Sequence, residues 1–216
     1  GTIRRALTGD IVHAAGVAKT INENLMGYER PLPKSIEFNL AESYTFSDGG
    51  KEAIFKIRKG IKWSDGVPFT VDDILFWYDD MVLDDDARDS PSPPSVFMVD
   101  GNPLRIVKVN DHAIRVSSSK PMGRLLNAFC GPRVAYPKHI YARFHPRYNP
   151  KATYEAFRDS TTRAKLILKP GIPRLSPWVP VAWERGLRVV YERNPYYWKV
   201  DTKGNQLPYA DRLVFE

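Results

Sequence analysis

Apolar and polar positions alternate most cleanly at residues 53–58, where Ala53, Phe55 and Ile57 interleave with Ile54, Lys56 and Arg58. A period of two predicts a strand with one buried face. Lys59-Gly60 interrupts it, Ile61-Lys62-Trp63 resumes an extended chain, and Ser64-Asp65-Gly66 closes it with a turn whose Asp-Gly pair suits a tight hairpin. The period then changes. Ile74, Trp77, Tyr78 and Met81 recur at helical spacing through residues 71–83, which predicts a helix with one packed side. Thr70 is its expected N-cap: Asp73 falls three residues on, and Asp72 and Asp73 both sit where the helix dipole favours negative charge.

Residues 104–109 and 113–117 read as two strands joined around Asn110-Asp111. Pro121 starts a predicted helix with Leu125, Leu126 and Phe129 on its buried side, and Gly131-Pro132 ends it. Two further short helices are predicted over 137–145 and 150–159, with Asn149 as the cap of the second. Residues 22–28 read as a short helix end or turn, 47–50 as a tight turn and 84–94 as a surface loop. A strand over 187–193 leads into Pro195-Tyr196-Tyr197-Trp198, a polar turn at 201–206 and the start of another strand at 213–215. The chain is expected to stop in mid-strand, with something beyond it cut away. The pattern supports a mixed α/β domain.

Composition changes this picture little. The chain has 216 residues, 43% hydrophobic and 26% charged, which is enough to bury a core. No apolar run approaches the roughly 20 residues of a membrane helix, and residues 1–10 lack the plan of a signal peptide. A net charge of +7 raises the question of an anionic partner. The basic residues are scattered, with no run of five or six, so a solvated surface is the preferred reading and no nucleic acid is expected. Cys130 is the only cysteine, which excludes an internal disulfide and gives it the role of a small buried hydrophobe.

Two stretches carry more than composition. The first is Leu40-Ala41-Glu42-Ser43-Tyr44 followed by Arg58-Lys59-Gly60, Trp63-Ser64-Asp65-Gly66 and Asp72-Asp73. The second is Arg193-Asn194-Pro195-Tyr196-Tyr197-Trp198 with residues 204–211. In this order and spacing they resemble the signature of bacterial extracellular solute-binding proteins of family 5, and Pro137-Lys138-His139 also fits. The resemblance covers most of the chain from about Ile21 onward. It implies a fold like the type II periplasmic binding proteins, in part only: one lobe plus a small appended domain. The expected division is residues 1–20 as the N-terminal segment of that lobe, 21–128 as the appended α/β domain and 129–216 as the rest of the lobe, ending at the hinge to a missing second lobe. Without that lobe, weak or no solute binding is expected. Where many members carry Gly-Pro-Tyr before the Arg-Asn-Pro motif, this chain has Leu175-Ser176-Pro177-Trp178.

The resemblance further implies a non-enzymatic role: capture of oligopeptides or related solutes for an ABC importer, outside the cytoplasmic membrane, in the periplasm or extracellular space. ABC permease subunits are the implied partners, and a lipoprotein anchor is compatible. Oligosaccharides and opines are alternative solutes, and a basic nucleic-acid-binding domain or a hydrolase with an unrecognised site are the readings from other classes. The candidate ligand residues, chosen by position, are Asp10, His13, Ala15, Tyr28, Trp178 and Trp183. Trp63, Asp65, Gly66, Asp73, Asn194, Pro195 and Trp198 are expected to serve structure.

The residues themselves offer little foothold for catalysis. His13, His112, His139 and His145 form no HExxH pair, and surface or capping roles are expected for them. The adjacent carboxylates at 72–73 and 79–80 diverge around a helix. No GxSxG, P-loop or dinucleotide motif occurs, and no metal or cofactor is expected.

Overall fold

The computed structural model describes residues 23–28, 35–88, 90–131, 134–161, 169–184 and 187–215. Candidates Asp10, His13 and Ala15 lie outside these residues. The chain divides into two compact units. One comprises Glu23–Lys59 and Thr70–Arg158, and the other includes Gly60–Phe69 and Asp159–Glu216.

In chain order the first unit holds strands β1 (Met26–Tyr28), β2 (Ile36–Phe38), β3 (Ala41–Ser47) and β4 (Glu52–Ile57), helix α1 (Val71–Trp77), and strands β5 (Met98–Val99), β6 (Asn102–Pro103), β7 (Arg105–Asn110) and β8 (Ala113–Ser117). The short helices α2 (Leu125–Ala128) and α3 (Lys138–Tyr141) follow, and α4 (Tyr154–Thr161) comes next in the chain. Its sheet is four-stranded and antiparallel, in the order β3-β4-β8-β7. Register carries the alternation of the sequence across it. Ala53 pairs with Phe46 and Val116, and Phe55 pairs with Tyr44 and Ile114, so these residues share one face. Ala53, Phe55, Ile114 and Val116 are all fully buried.

A chain of rings continues from that face. Phe55 meets Phe129 at 5.1 Å between centroids, Phe129 meets Phe97 at 5.7 Å, and Phe97 meets Trp77 at 5.3 Å and Tyr78 at 6.0 Å. Most of these are edge-on or tilted, the arrangements that ring quadrupoles favour.

α1 begins where its cap predicts. Thr70 Oγ1 accepts from the Asp72 N–H at 3.3 Å, Asp73 Oδ2 accepts from the Thr70 N–H at 3.1 Å, and the reciprocal capping box is complete. The helix widens at its end into a π-helical turn, Tyr78–Val82. That turn is held from outside: buried Asp80 accepts from Tyr148 Oη at 2.5 Å and from Arg147. Nε2 of His145 lies 3.1 Å from the Asp80 carbonyl, while its Nδ1 accepts from the Arg147 N–H at 3.1 Å. One nitrogen must therefore donate and the other accept, which fixes a neutral ring protonated on Nε2.

Several expectations change. Residues 26–28 form a strand paired with Ile36–Phe38, not a helix end. α2 begins at Leu125, four residues after Pro121, and the Met122 N–H donates to the Gly50 carbonyl at 2.9 Å. α3 gives way to a 3₁₀ turn at Ala142–Phe144. α4 starts at Tyr154 with Thr153 Oγ1 accepting from the Ala156 N–H, whereas Asn149 Oδ1 accepts from Lys151 in a preceding turn. His145 is fully buried in an aromatic setting, against the expected surface role.

The second unit carries a three-stranded antiparallel sheet in the order β11-β10-β9, made of β9 (Trp178–Glu184), β10 (Arg188–Arg193) and β11 (Arg212–Phe215). β9 is a strand that the apolar pattern does not mark, because Pro177 and Pro180 obscure its alternation. Trp178, Pro180, Val189, Tyr191 and Phe215 are the buried residues of this sheet among those described, with Tyr191 and Phe215 edge-on at 5.7 Å. Among the described residues the Tyr191 hydroxyl has no hydrogen-bond partner, and burial pushes its phenol pKa up.

Two stability outcomes follow from this architecture. Thr70→Ala removes half of the capping box and lowers unfolding free energy by about 1 kcal/mol in urea titration. Tyr191→Phe deletes a hydroxyl that is desolvated without compensation. Its unfolding midpoint equals or exceeds the parent's, by up to about 1 kcal/mol in free energy.

Candidate functional site

Within the first unit, a groove of about 580 Å³ opens between β1, the turn at Ser95–Phe97 with β5, and the segment Pro121–Ala128. That volume lies within the range of small-molecule pockets. Each wall is fixed independently. β1 is tied down by Met26 N–H donating to the Phe129 carbonyl at 3.2 Å and Asn24 Nδ2 donating to the Cys130 carbonyl at 2.7 Å. The 95–97 turn is pinned by fully buried Phe97, which leaves its neighbour Val96 51% exposed at the groove. Leu104 on the floor is fixed through its backbone. Its N–H donates to the Phe97 carbonyl at 2.9 Å, and its carbonyl accepts from Tyr78 Oη at 2.5 Å.

The floor is apolar, formed by buried Leu104, Met122, Leu125 and Ala128. Polar groups gather at the rim: Tyr28, Ser95, Arg124 and Asn127. Tyr28 is 42% exposed, and its Oη accepts from Asn127 Nδ2 at 3.3 Å. Behind it, the Cys130 thiol donates to the Leu126 carbonyl at 3.2 Å, and burial pushes its pKa up, away from the reactive thiolate. The groove thus offers an apolar bed with oriented polar tips, suited to holding a molecule.

The remaining candidates belong to the second unit. Trp178 is buried at the start of β9, opposite Arg193, and Trp183 is 39% exposed near its end, opposite Val189. Trp178 therefore packs the sheet, while Trp183 presents an open ring. Tyr28 belongs to the other unit. A second hollow, of about 690 Å³, is lined by Glu192, Arg193, Pro195, Gln206, Asp211 and Arg212. Its charges pair among themselves, Arg193 with Asp211 at 3.2 Å and Arg212 with Glu192 at 2.8 Å. Among the described residues no cluster of three His, Cys, Asp or Glu could hold a metal ion.

The motif residues of the second unit form a knot. Trp63 is buried; its N–H donates to the Val67 carbonyl at 2.8 Å, and Asp65 Oδ1 accepts from the Val67 N–H at 3.2 Å. Ser64 exchanges two hydrogen bonds with the backbone of Arg174, at 2.9 and 3.0 Å. Fully buried Asn194 donates from Nδ2 to the carbonyls of Arg174 and Ser176. The Pro195 carbonyl accepts from Gln206. Trp198 is half-buried, with Lys199 Nζ 4.9 Å above its ring. In the polar turn Asp201 accepts from Tyr209, Asn205 and Lys203, which pulls its carboxyl well below the usual range.

Of the candidates, Tyr28 lies at the rim of this groove, beside Val96, Arg124 and Asn127, which no sequence motif marks and which meet it only through the turn at 95–97 and α2.

A family model described as "Bacterial extracellular solute-binding proteins, family 5 Middle" matches residues 35–216. The periplasmic alpha-galactoside-binding protein of Rhizobium meliloti is 33% identical over 189 residues, covering 86% of this chain and 25% of that protein. The periplasmic oligopeptide-binding protein OppA of Escherichia coli is 28% identical, over 79% of this chain and 30% of its own length. Among solved structures, an oligopeptide-binding protein OppA superposes with a TM-score of 0.86 at 31% identity, covering 100% of this chain and 35% of that one. MelB of Agrobacterium fabrum, in complex with stachyose, gives 0.79 at 30% identity, covering 94% of this chain and 30% of that one. The chain thus spans between a quarter and about a third of the length of these relatives.

The knot yields a test of its own. Gly66 has φ of +88°, and a Cβ there would lie 3.2 Å from the Tyr196 ring. Gly66→Ala lowers stability by about 1–2 kcal/mol in thermal or urea unfolding. Adding Tyr196→Ala recovers the steric part of that loss and leaves the backbone part.

Proposed function

Because this chain belongs to family 5 of the bacterial extracellular solute-binding proteins, we propose that it contributes to capturing a solute for an ABC importer outside the cytoplasmic membrane, and that the solute is an oligosaccharide of the α-galactoside type. The observation that carries the sugar reading is the likeness to a stachyose-bound protein, 30% identical over 94% of the chain. The alpha-galactoside-binding relative, at 33% identity, points the same way.

The groove chemistry agrees. A sugar ring has apolar C–H faces and a rim of hydroxyls, so it is gripped by an aromatic face flanked by hydrogen-bonding groups. Tyr28, steadied by Asn127, offers such a face beside Ser95 and Arg124. Binding between two lobes would select a closed form, since a solute that touches both lobes favours the state in which both contacts are made. Nucleophilic or acid–base steps have no part in this reading: the groove lining holds no carboxylate, histidine or cysteine among the described residues.

An oligopeptide is the second reading. It is favoured by the likeness to an oligopeptide-binding protein at a TM-score of 0.86 and 31% identity.

Isothermal titration of the protein expressed from its intact gene separates the two. Stachyose and raffinose are expected to bind with dissociation constants in the micromolar range or tighter, about −8 kcal/mol, and tri- to pentapeptides much more weakly. Tight peptide binding without galactoside binding would replace the first reading by the second.

A further inference from the structure

Arg124 is the one formally charged side chain that lines the groove among the described residues. It is exposed, at the start of α2, where it can swing over the opening. Asp100, next in sequence to the lining residue Val99, does not offset it, because Lys120 Nζ already holds that carboxylate at 2.5 Å. The other polar groups at the rim are rich in donors. Asn127 Nδ2 donates to Tyr28 Oη at 3.3 Å, so the phenol oxygen is used as an acceptor. Among the described residues, an ammonium group entering here would meet a guanidinium and no carboxylate. A carboxylate or a ring of hydroxyls would find partners.

We propose that Arg124 sets the charge specificity of this groove, which takes the end of a solute that carries hydrogen-bond acceptors and no positive charge, a neutral or carboxylate-bearing glycosyl unit. This rests on the reading of the groove as part of a solute site. It goes further in assigning the discrimination to one side chain. The approach of a charged solute is steered by the same guanidinium, so the effect is screened by salt.

The test uses the protein from its intact gene and its Arg124→Gln and Arg124→Glu variants, titrated with stachyose, an α-linked galacturonate trimer and a galactosamine trimer. The parent is expected to bind the anionic trimer at least as well as stachyose, to bind the cationic one least, and to lose the anionic preference as sodium chloride is raised. Arg124→Glu shifts the anionic-to-cationic affinity ratio by about tenfold or more towards the cation. Arg124→Gln falls between, and stachyose, which loses one hydrogen-bonding partner in both variants, binds several-fold more weakly to them than to the parent but still measurably. An unchanged ratio in Arg124→Glu, with stachyose still bound and the unfolding midpoint equal to the parent's, overturns the assignment. If no glycan binds and peptides do, the sugar reading falls. The same ratio measured with Glu-ended and Lys-ended tripeptides then decides the role of Arg124 by itself.

Discussion

The carboxylate of Asp73 is buried to 4% exposure and answers two backbone donors at once, the Thr70 N–H through Oδ2 and the Lys138 N–H through Oδ1 at 3.0 Å. The Asp73 carbonyl also accepts from the Tyr136 N–H. One residue therefore closes the N-terminus of α1 and fixes the segment that enters α3. A desolvated carboxylate persists only where charge-assisted hydrogen bonds replace its water. The first unit depends on this constraint, because it sets the position and rotation of α1. That rotation in turn aims Trp77 and Tyr78 at Phe97.

From there the dependence runs to the groove. Phe97 sits between Trp77, Tyr78 and Phe129, so the turn carrying it cannot shift without opening a void in a close-packed core. Its neighbours Val96 and Met98 face the groove as a result. The opposite wall is held by hydrogen bonds from β1 to the chain just after α2. A groove with walls fixed in this way would lose little conformational entropy on taking up a ligand.

The second unit is organised by a different device. Ser64 and Asn194 bind the same stretch of backbone, at Arg174 and Ser176, from two distant positions in the sequence. The Trp63 hairpin and the tyrosine-rich segment are thereby joined through a third strand of chain. Gly66 lets the Tyr196 ring come close, at a backbone conformation that side chains disfavour. These family-signature residues hold the scaffold together, and none of them lines the groove.

Local patterns in the sequence determined what local physics controls: the alternation of β4, the capping box of α1, the Asp-Gly turn, the burial of Trp63 and Cys130, and the family to which the chain belongs. Each rests on residues within a few positions of one another. The tertiary structure decided the rest. β1 reads as a helix end or turn until Ile36–Phe38 arrives to pair with it, and the segment after Pro121 is tied to distant Gly50 before α2 begins. The buried neutral His145 depends on Asp80, which lies 65 positions away. Tyr28 and Asn127 are 99 positions apart, and their hydrogen bond, like the lone charge of Arg124 above an apolar floor, exists only once distant segments pack. Periodicity encodes which face of an element is apolar. It does not encode which other face will meet it, and a binding groove is made of such meetings.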